Sequence, residues 1–160
     1  MRRKKTTKMM NNKGFSLVEL IIVIAIMAIL IGVLAPQFMK YVERSRKSTD
    51  VQSVASIVTA LQVYASDPMV IGANQLNATN VASPNNEITL TTASVAVGTA
   101  CNNTILAQAL TDSGIDTVQL RSSDWGVTSV VLQVTVAANG TIGVTSNVTN
   151  GDIIAGTYTD

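Results

Sequence analysis

From Leu20 to Ala35, sixteen consecutive residues carry no charge, and the run extends back to Phe15 with only Ser16 and Glu19 interrupting it. As a helix rising about 1.5 Å per residue, the stretch from Phe15 spans roughly 30 Å, the thickness of a bilayer core. Past Pro36 the pattern turns one-sided. Val51, Val54, Val58, Leu61 and Ala65 recur at alternating spacings of three and four, with Gln52, Ser53, Ser56 and Thr59 on the other sides. That spacing predicts an amphipathic helix. Asp67-Pro68 ends it, because proline biases the preceding residue away from helix. One helix is therefore expected from Phe15 to about Ser66: an apolar stem needing lipid or other stems, then a spine needing a sheet.

After Met69 the chain becomes rich in Asn, Thr, Ser, Ala and Gly. A loop is expected over 67–86, then a strand at Glu87–Thr91, a short helix at Asn103–Leu110 with Gly114 beyond its end, and strands at Thr117–Arg121, Ser129–Ala137 and Thr141–Asn147. The last two are joined around Ala138-Asn139-Gly140, where Asn-Gly suits the positive φ of a tight hairpin. Val130, Leu132, Val134 and Val136 alternate with Val131, Gln133 and Thr135, which puts one face on the spine and leaves the other wetter. Trp125 is expected at the edge of that core. The fold class is α+β, with segments 1–14, 15–36 and 37–160, the last comprising helix 37–66, loop 67–86 and a sheet-rich part from 87.

Charge sharpens this organisation. Six of the eleven basic residues fall within the first 13 positions, and Lys40, Arg44, Arg46 and Lys47 follow the apolar run. The early bases favour a cytoplasmic N-terminus with the rest exported. Beyond Lys47 a single base, Arg121, stands against eight acids, which argues against nucleic acid as the main partner. Glu43 precedes Lys47, and Arg46 precedes Asp50, by one helical turn, so each pair is placed to support the helix. Cys101 is the only cysteine and the chain has no histidine. An intramolecular disulfide and a Cys/His zinc site are thereby excluded, and a nucleophilic thiol lacks its usual base. The bland reading of Cys101, a small packed residue, is preferred. Asp112, Asp116 and Asp124 lack the dense spacing of a calcium loop. No metal, cofactor or catalytic residue is assigned.

The apolar run is longer than the core of a secretory signal peptide and continues into helix. A plain anchor fits its length but leaves Glu19 unexplained, since a carboxylate at membrane depth costs about 2.5–3.5 kcal/mol and normally marks function. The string Lys13-Gly14-Phe15-Ser16-Leu17-Val18-Glu19-Leu20 resembles the type III signal of type IV pilins and related pseudopilins. The resemblance implies cleavage after Gly14 by a prepilin peptidase and methylation of the new amino group on Phe15. It also makes Glu19 the fifth mature residue, the assembly glutamate, which meets the N-terminus of the subunit ahead. By spacing alone, Glu19 could equally neutralise its own amine one turn away. Pro36 removes a backbone hydrogen bond and presses on the carbonyl of Gly32 four residues earlier, so a kink or loosened turn is expected at Gly32–Pro36. A lone cysteine departs from the disulfide-closed heads of many Gram-negative pilins and points to a Gram-positive or otherwise divergent member. The sequons at Asn77, Asn102, Asn139 and Asn147 are expected by chance in so Asn- and Thr-rich a chain.

The leading functional reading is a structural subunit, held in the cytoplasmic membrane before assembly and displayed as a cell-surface pilus afterwards. Its partners would be prepilin peptidase, identical subunits and a membrane assembly platform, its work adhesion or motility. The alternative is a pseudopilin of a type II secretion or DNA-uptake system. A membrane-anchored enzyme would need convergent catalytic groups, and neither a histidine nor a Gly-rich phosphate loop is present.

Overall fold

The computed structural model describes residues 14–158; the basic leader, up to Lys13, lies outside the described residues. Helix α1 runs from Leu17 to Ser66 and ends one residue before Asp67-Pro68. The order continues with a 3-10 turn (Gly72–Asn74), β1 (Glu87–Leu90), β2 (Val95–Ala96), α2 (Val97–Ala100) and α3 (Thr104–Asp112). It closes with β3 (Thr117–Val118), β4 (Val130–Val136), β5 (Ile142–Ser146), β6 (Gly151–Asp152) and β7 (Thr157–Tyr158). The architecture is α+β, a long N-terminal helix followed by an antiparallel sheet. The chain divides between Lys40 and Tyr41 into two compact units, and the head is the second.

The main sheet has the order β1-β4-β5 and is antiparallel throughout, with Leu90 opposite Val130 and Val134 opposite Val144. Val130, Leu132, Val134 and Val136 of β4 are buried, as their alternation predicts, and join Ile88 and Leu90 of β1 in one core with Val54, Ile57 and Leu61 of α1. β3 is shorter than expected, and the pair β2–β3 is a separate two-stranded ribbon. At the β4–β5 turn only Gly140 has positive φ (+81°), while Asn139 does not. The connection is thus longer than a two-residue primed turn, and the Asn139 side chain supports it by accepting from Thr141 N–H at 3.1 Å.

The buried face of α1 is rotated from the stripe read in the sequence. Lys47, Asp50, Val54, Ile57, Leu61 and Tyr64 face inward, with Ala60, whereas Val51, Val58 and Ala65 are only partly buried. The inward line keeps the three-and-four spacing but passes through two charges and a phenol. Asp50 is fully buried and holds a turn of the head: its Oδ1 accepts from Arg121 N–H at 2.6 Å, and its Oδ2 from Ser122 N–H and Trp125 Nε1, both at 2.9 Å. Lys47, 3% exposed, pairs with Asp124 at 3.0 Å and lies 5.6 Å from the centre of the Trp125 ring. Ser122 Oγ donates to Glu43 and accepts from Asp124 N–H at 3.0 Å. Trp125 is therefore inside the core, 1% exposed, because its indole N–H has a buried acceptor. Arg46 turns outward to Glu43 at 3.6 Å, so the helix charges serve the head rather than only one another.

Side-chain amides hold the loops between the short strands. Asn103 caps α3, accepting from Ile105 N–H at 2.8 Å, and its Nδ2 donates to the carbonyls of Asn80 and Asn85 at 2.9 Å each. Asn102 joins Pro84 O to Glu87 N–H, and Asn147 joins Ser129 O to Val131 N–H. Among the described residues no buried side-chain nitrogen or oxygen lacks a partner.

Replacing Asp50 by Ala strands three donors, two backbone and one indole, and should destabilise the head by about 3 kcal/mol or more. Asp50→Asn keeps an acceptor and should cost less. Denaturant unfolding of the detergent-solubilised full chain, read by the fluorescence of its single tryptophan, measures both. A loss within about 0.5 kcal/mol for Asp50→Ala would contradict the assigned role.

Candidate processing and assembly site

The first described residues carry the motif. Gly14, Phe15 and Ser16 form an irregular exposed segment immediately before α1, with Phe15 93% exposed. A Cβ added at Gly14 would meet nothing within 4 Å, so crowding inside this chain does not demand a glycine there. The requirement, where it exists, belongs to whatever approaches the backbone from outside.

Ser16 and Glu19 close the start of the helix. The Ser16 Oγ accepts from Val18 N–H at 3.3 Å, and Glu19 Oε2 accepts from Ser16 N–H at 2.9 Å. The arrangement resembles a capping box, in which a side chain at each end of the first turn satisfies a backbone donor. Its signature, Ser-x-x-Glu before an apolar run, stands openly at residues 16–19 but was obscured by the stronger motif that shares these residues. In the uncut chain Glu19 thus serves a backbone N–H of its own first turn. The positive end of the helix dipole favours a carboxylate at this place.

The stem that follows offers its apolar side chains on every side. Ile21, Ile24, Met27, Leu30 and Leu34 are each more than half exposed, as are the large apolar residues between them. By length and composition α1 is able to cross a membrane. Fully burying each such side chain is worth roughly 1.5–3 kcal/mol, so the stem holds a large unrealised driving force. Helix continues unbroken through Gly32 and Pro36. A Cβ at Gly32 would meet nothing outside its own helix backbone.

The acidic residues and the lone thiol of the head stand apart from one another. Asp112 accepts from Gln108 at 2.6 Å while Asp124 pairs with Lys47, and no group of three or more His, Cys, Asp or Glu suited to a metal forms among the described residues. Cys101 is buried, and burial pushes its thiol up to about 11 from an ordinary 9.0. Tyr64 is raised as well, by burial and then by the nearby carboxylates of Asp112 and Asp67. For Cys101 the folded state retains the proton more tightly than the unfolded one. Its contribution to stability is complete below pH 9 and is lost as pH rises towards 11. The folded protein should therefore leave Cys101 unmodified by a chromogenic disulfide reagent at pH 8 and release it on denaturation. Cys101→Ala should remove part of the alkaline fall in the unfolding midpoint between pH 9 and 11. Rapid labelling of the native thiol would contradict this account.

Comparison with known proteins bears on the same residues. The family model for the prokaryotic N-terminal methylation motif matches residues 9–35. The chain is 38% identical over 56 residues to the type IV major pilin protein PilA of Myxococcus xanthus, covering 35% of this chain and 26% of PilA. It is 38% identical over 55 residues to the type IV major fimbrial protein FimA of Dichelobacter nodosus, covering 34% and 35%. Similarity to the fimbrial protein EcpC of Eikenella corrodens reaches past the motif into the head, at 31% identity over 129 residues, 81% of this chain and 74% of EcpC. No solved structure matches the chain significantly. With the motif at the start of a long apolar helix, an antiparallel sheet beyond it and likeness to a fimbrial protein over most of both lengths, the chain belongs to the type IV pilin family.

Proposed function

We propose that this pilin is cut after Gly14 by a prepilin peptidase, methylated on Phe15, and polymerised through residues 15–36 into a cell-surface pilus. Before assembly the stem spans the cytoplasmic membrane once, with the head outside. In the filament, stems of identical subunits replace lipid around one another, and adhesion or motility follows from the fibre, driven by a membrane assembly platform. The observation that carries this reading is the junction at residues 14–19: an exposed Gly-Phe segment one turn before a carboxylate, at the head of a helix with apolar residues on all sides.

Cleavage changes the electrostatics of that junction. It creates an amine on Phe15, and Glu19 leaves the Ser16 N–H to meet the amine of the subunit ahead. An ion pair formed in an apolar surrounding is far stronger than one in water, so it selects register as well as affinity. Gly32–Pro36 is the stretch where the packed stem loosens, because Pro36 supplies no N–H to hold the turn.

The capping role and the charge role of Glu19 separate by substitution. Glu19→Gln retains an acceptor for the Ser16 N–H but no charge, and Glu19→Ala retains neither. Both should be cleaved normally, and both should give few or no pili. Abundant pili from Glu19→Gln would show that capping suffices and would remove the ion pair. An intact mass of protein sheared from the cell surface tests the proposal as a whole. N-methylated Phe15 in abundant sheared material supports a pilus subunit. The same terminus found only in membranes favours a pseudopilin, and a chain still carrying Met1–Gly14 overturns processing.

A further inference from the structure

A groove runs along the head where one side of α1 faces the segment 112–121. Three hollows make it up, and they share walls. The first lies between Ser45, Arg46 and Thr49 on α1 and Gln119 and Arg121 across from them. The second, which shares Gln119, lies between Ser53 and Ser56 and the residues Ile115, Thr117 and Val118. The third shares Ser56 and Ile115 and ends at Val63, with Asp112 and Ser113 on the far wall. From Ser45 to Val63 the helix advances about 27 Å. The hydroxyls of Thr49, Ser53, Ser56 and Thr59 are turned back onto carbonyls of their own helix, at 2.9–3.0 Å, so these four donors need no partner from outside.

The two ends of the groove carry opposite charge, and neither Arg121 nor Asp112 makes an ion pair among the described residues. Arg121 is the sole base beyond Lys47. Its backbone N–H is held by Asp50, but its guanidinium is exposed and makes no ion pair among the described residues. Arg46, half exposed, reaches only the edge of Glu43 at 3.6 Å. At the far end Asp112 is the last residue of α3, where the helix dipole disfavours an acid, and no basic residue stands in that turn to compensate. Its side chain accepts from the neutral amide of Gln108 at 2.6 Å. A sequence that leaves a local electrostatic conflict uncorrected commonly does so where a partner corrects it.

We infer that this groove is the contact between heads in the assembled pilus, the Arg46–Arg121 end of one copy receiving Asp112 of a second copy. The inference rests on the filament reading above and specifies where its heads meet. A second copy is the fitting occupant because one chain carries both halves of the complementary pair, on a head otherwise short of bases. Two different ends meeting make the contact heterologous, and a heterologous contact that does not close repeats without limit, as a fibre requires. An isologous pairing of the same two ends would satisfy both pairs at once but close as a dimer, and a closed dimer does not extend into a fibre.

The test uses full-length chains in producing cells. One chain carries Arg121→Cys, the other Asp112→Cys, and they are co-produced so that both enter the same pili. A short bis-maleimide is the reagent, since an Arg–Asp contact holds the backbones farther apart than the roughly 7 Å that a disulfide spans. Cys101 remains silent because it is buried. Cross-linked dimers from the mixed pili, with none from either chain alone, are expected. Dimers from Arg121→Cys alone would show like ends meeting and overturn the inference, and intact mixed pili without dimers would place the head contact elsewhere. If the cysteine chains assemble poorly, sheared pili of Arg121→Ala and of Asp112→Ala take their place. Each should break down at a lower salt concentration than wild type, and unchanged salt resistance in both would overturn the inference. Loss of pili in Glu19→Gln alongside a negative result here leaves the stem mechanism standing and removes only this contact.

Discussion

A carboxylate with no access to water, Asp50, is the constraint on which the head depends. Burying a charge is costly unless donors surround it, and here two backbone N–H groups and an indole N–H do so. The three donors come from a span of five residues, Arg121 to Trp125, so the acceptor dictates the course of that segment. Trp125 can then enter the core because its one polar atom is satisfied. Lys47 can be buried one turn earlier because Asp124 and the indole face receive it. The value of such a cluster lies less in net stability than in uniqueness, since any other register of helix against head would leave these groups unpaired.

The same helix serves two environments, and its sequence changes rule between them. From Leu17 to Lys40 apolar residues cover all sides of the helix and every one is exposed. From Tyr41 onward a single line is buried and the other sides are mainly small, hydroxylic or charged, with Tyr41 and Val63 exposed among them. The first rule suits a medium that is apolar in every direction, whether lipid or a bundle of like helices. The second suits a sheet on one side and water on the other. The two parts of α1 thus answer different questions, membrane residence and head folding.

The head achieves order with little regular structure by replacing backbone ladders with amides. Asn80, Asn86, Asn102, Asn103 and Asn147 each join backbone groups that no strand partner reaches. The Asn-rich composition that read as loop is therefore not loose, because every amide offers both a donor and an acceptor. Asn102 and Asn147, and likewise Asn77 and Asn139, fall in sequon triplets while doing this internal work.

Much of the molecule was legible from residue order because its signals are local. An unbroken apolar run states its own environment, Asp67-Pro68 ends a helix by steric exclusion, and alternation along 130–136 assigns faces whatever the partner. The Gly-Phe-x-x-x-Glu string announces itself through fixed spacing where a segment of irregular chain meets the first turn of a helix. What residue order did not disclose was non-local. The stripe through Val51, Val58 and Ala65 was the better hydrophobic line, yet the buried line passes through Lys47 and Asp50. Their partners lie more than seventy residues away, and no periodicity can reveal them. Trp125 moved from edge to core, and β3 shrank to two residues, for the same reason. By itself the sequence determined where the helix begins and ends, which medium its first half requires and which strands alternate, since each depends on neighbours within a few residues. Only the tertiary structure decided which face of the spine is buried, because that choice turns on whether a charged side chain finds donors brought to it from the far end of the chain.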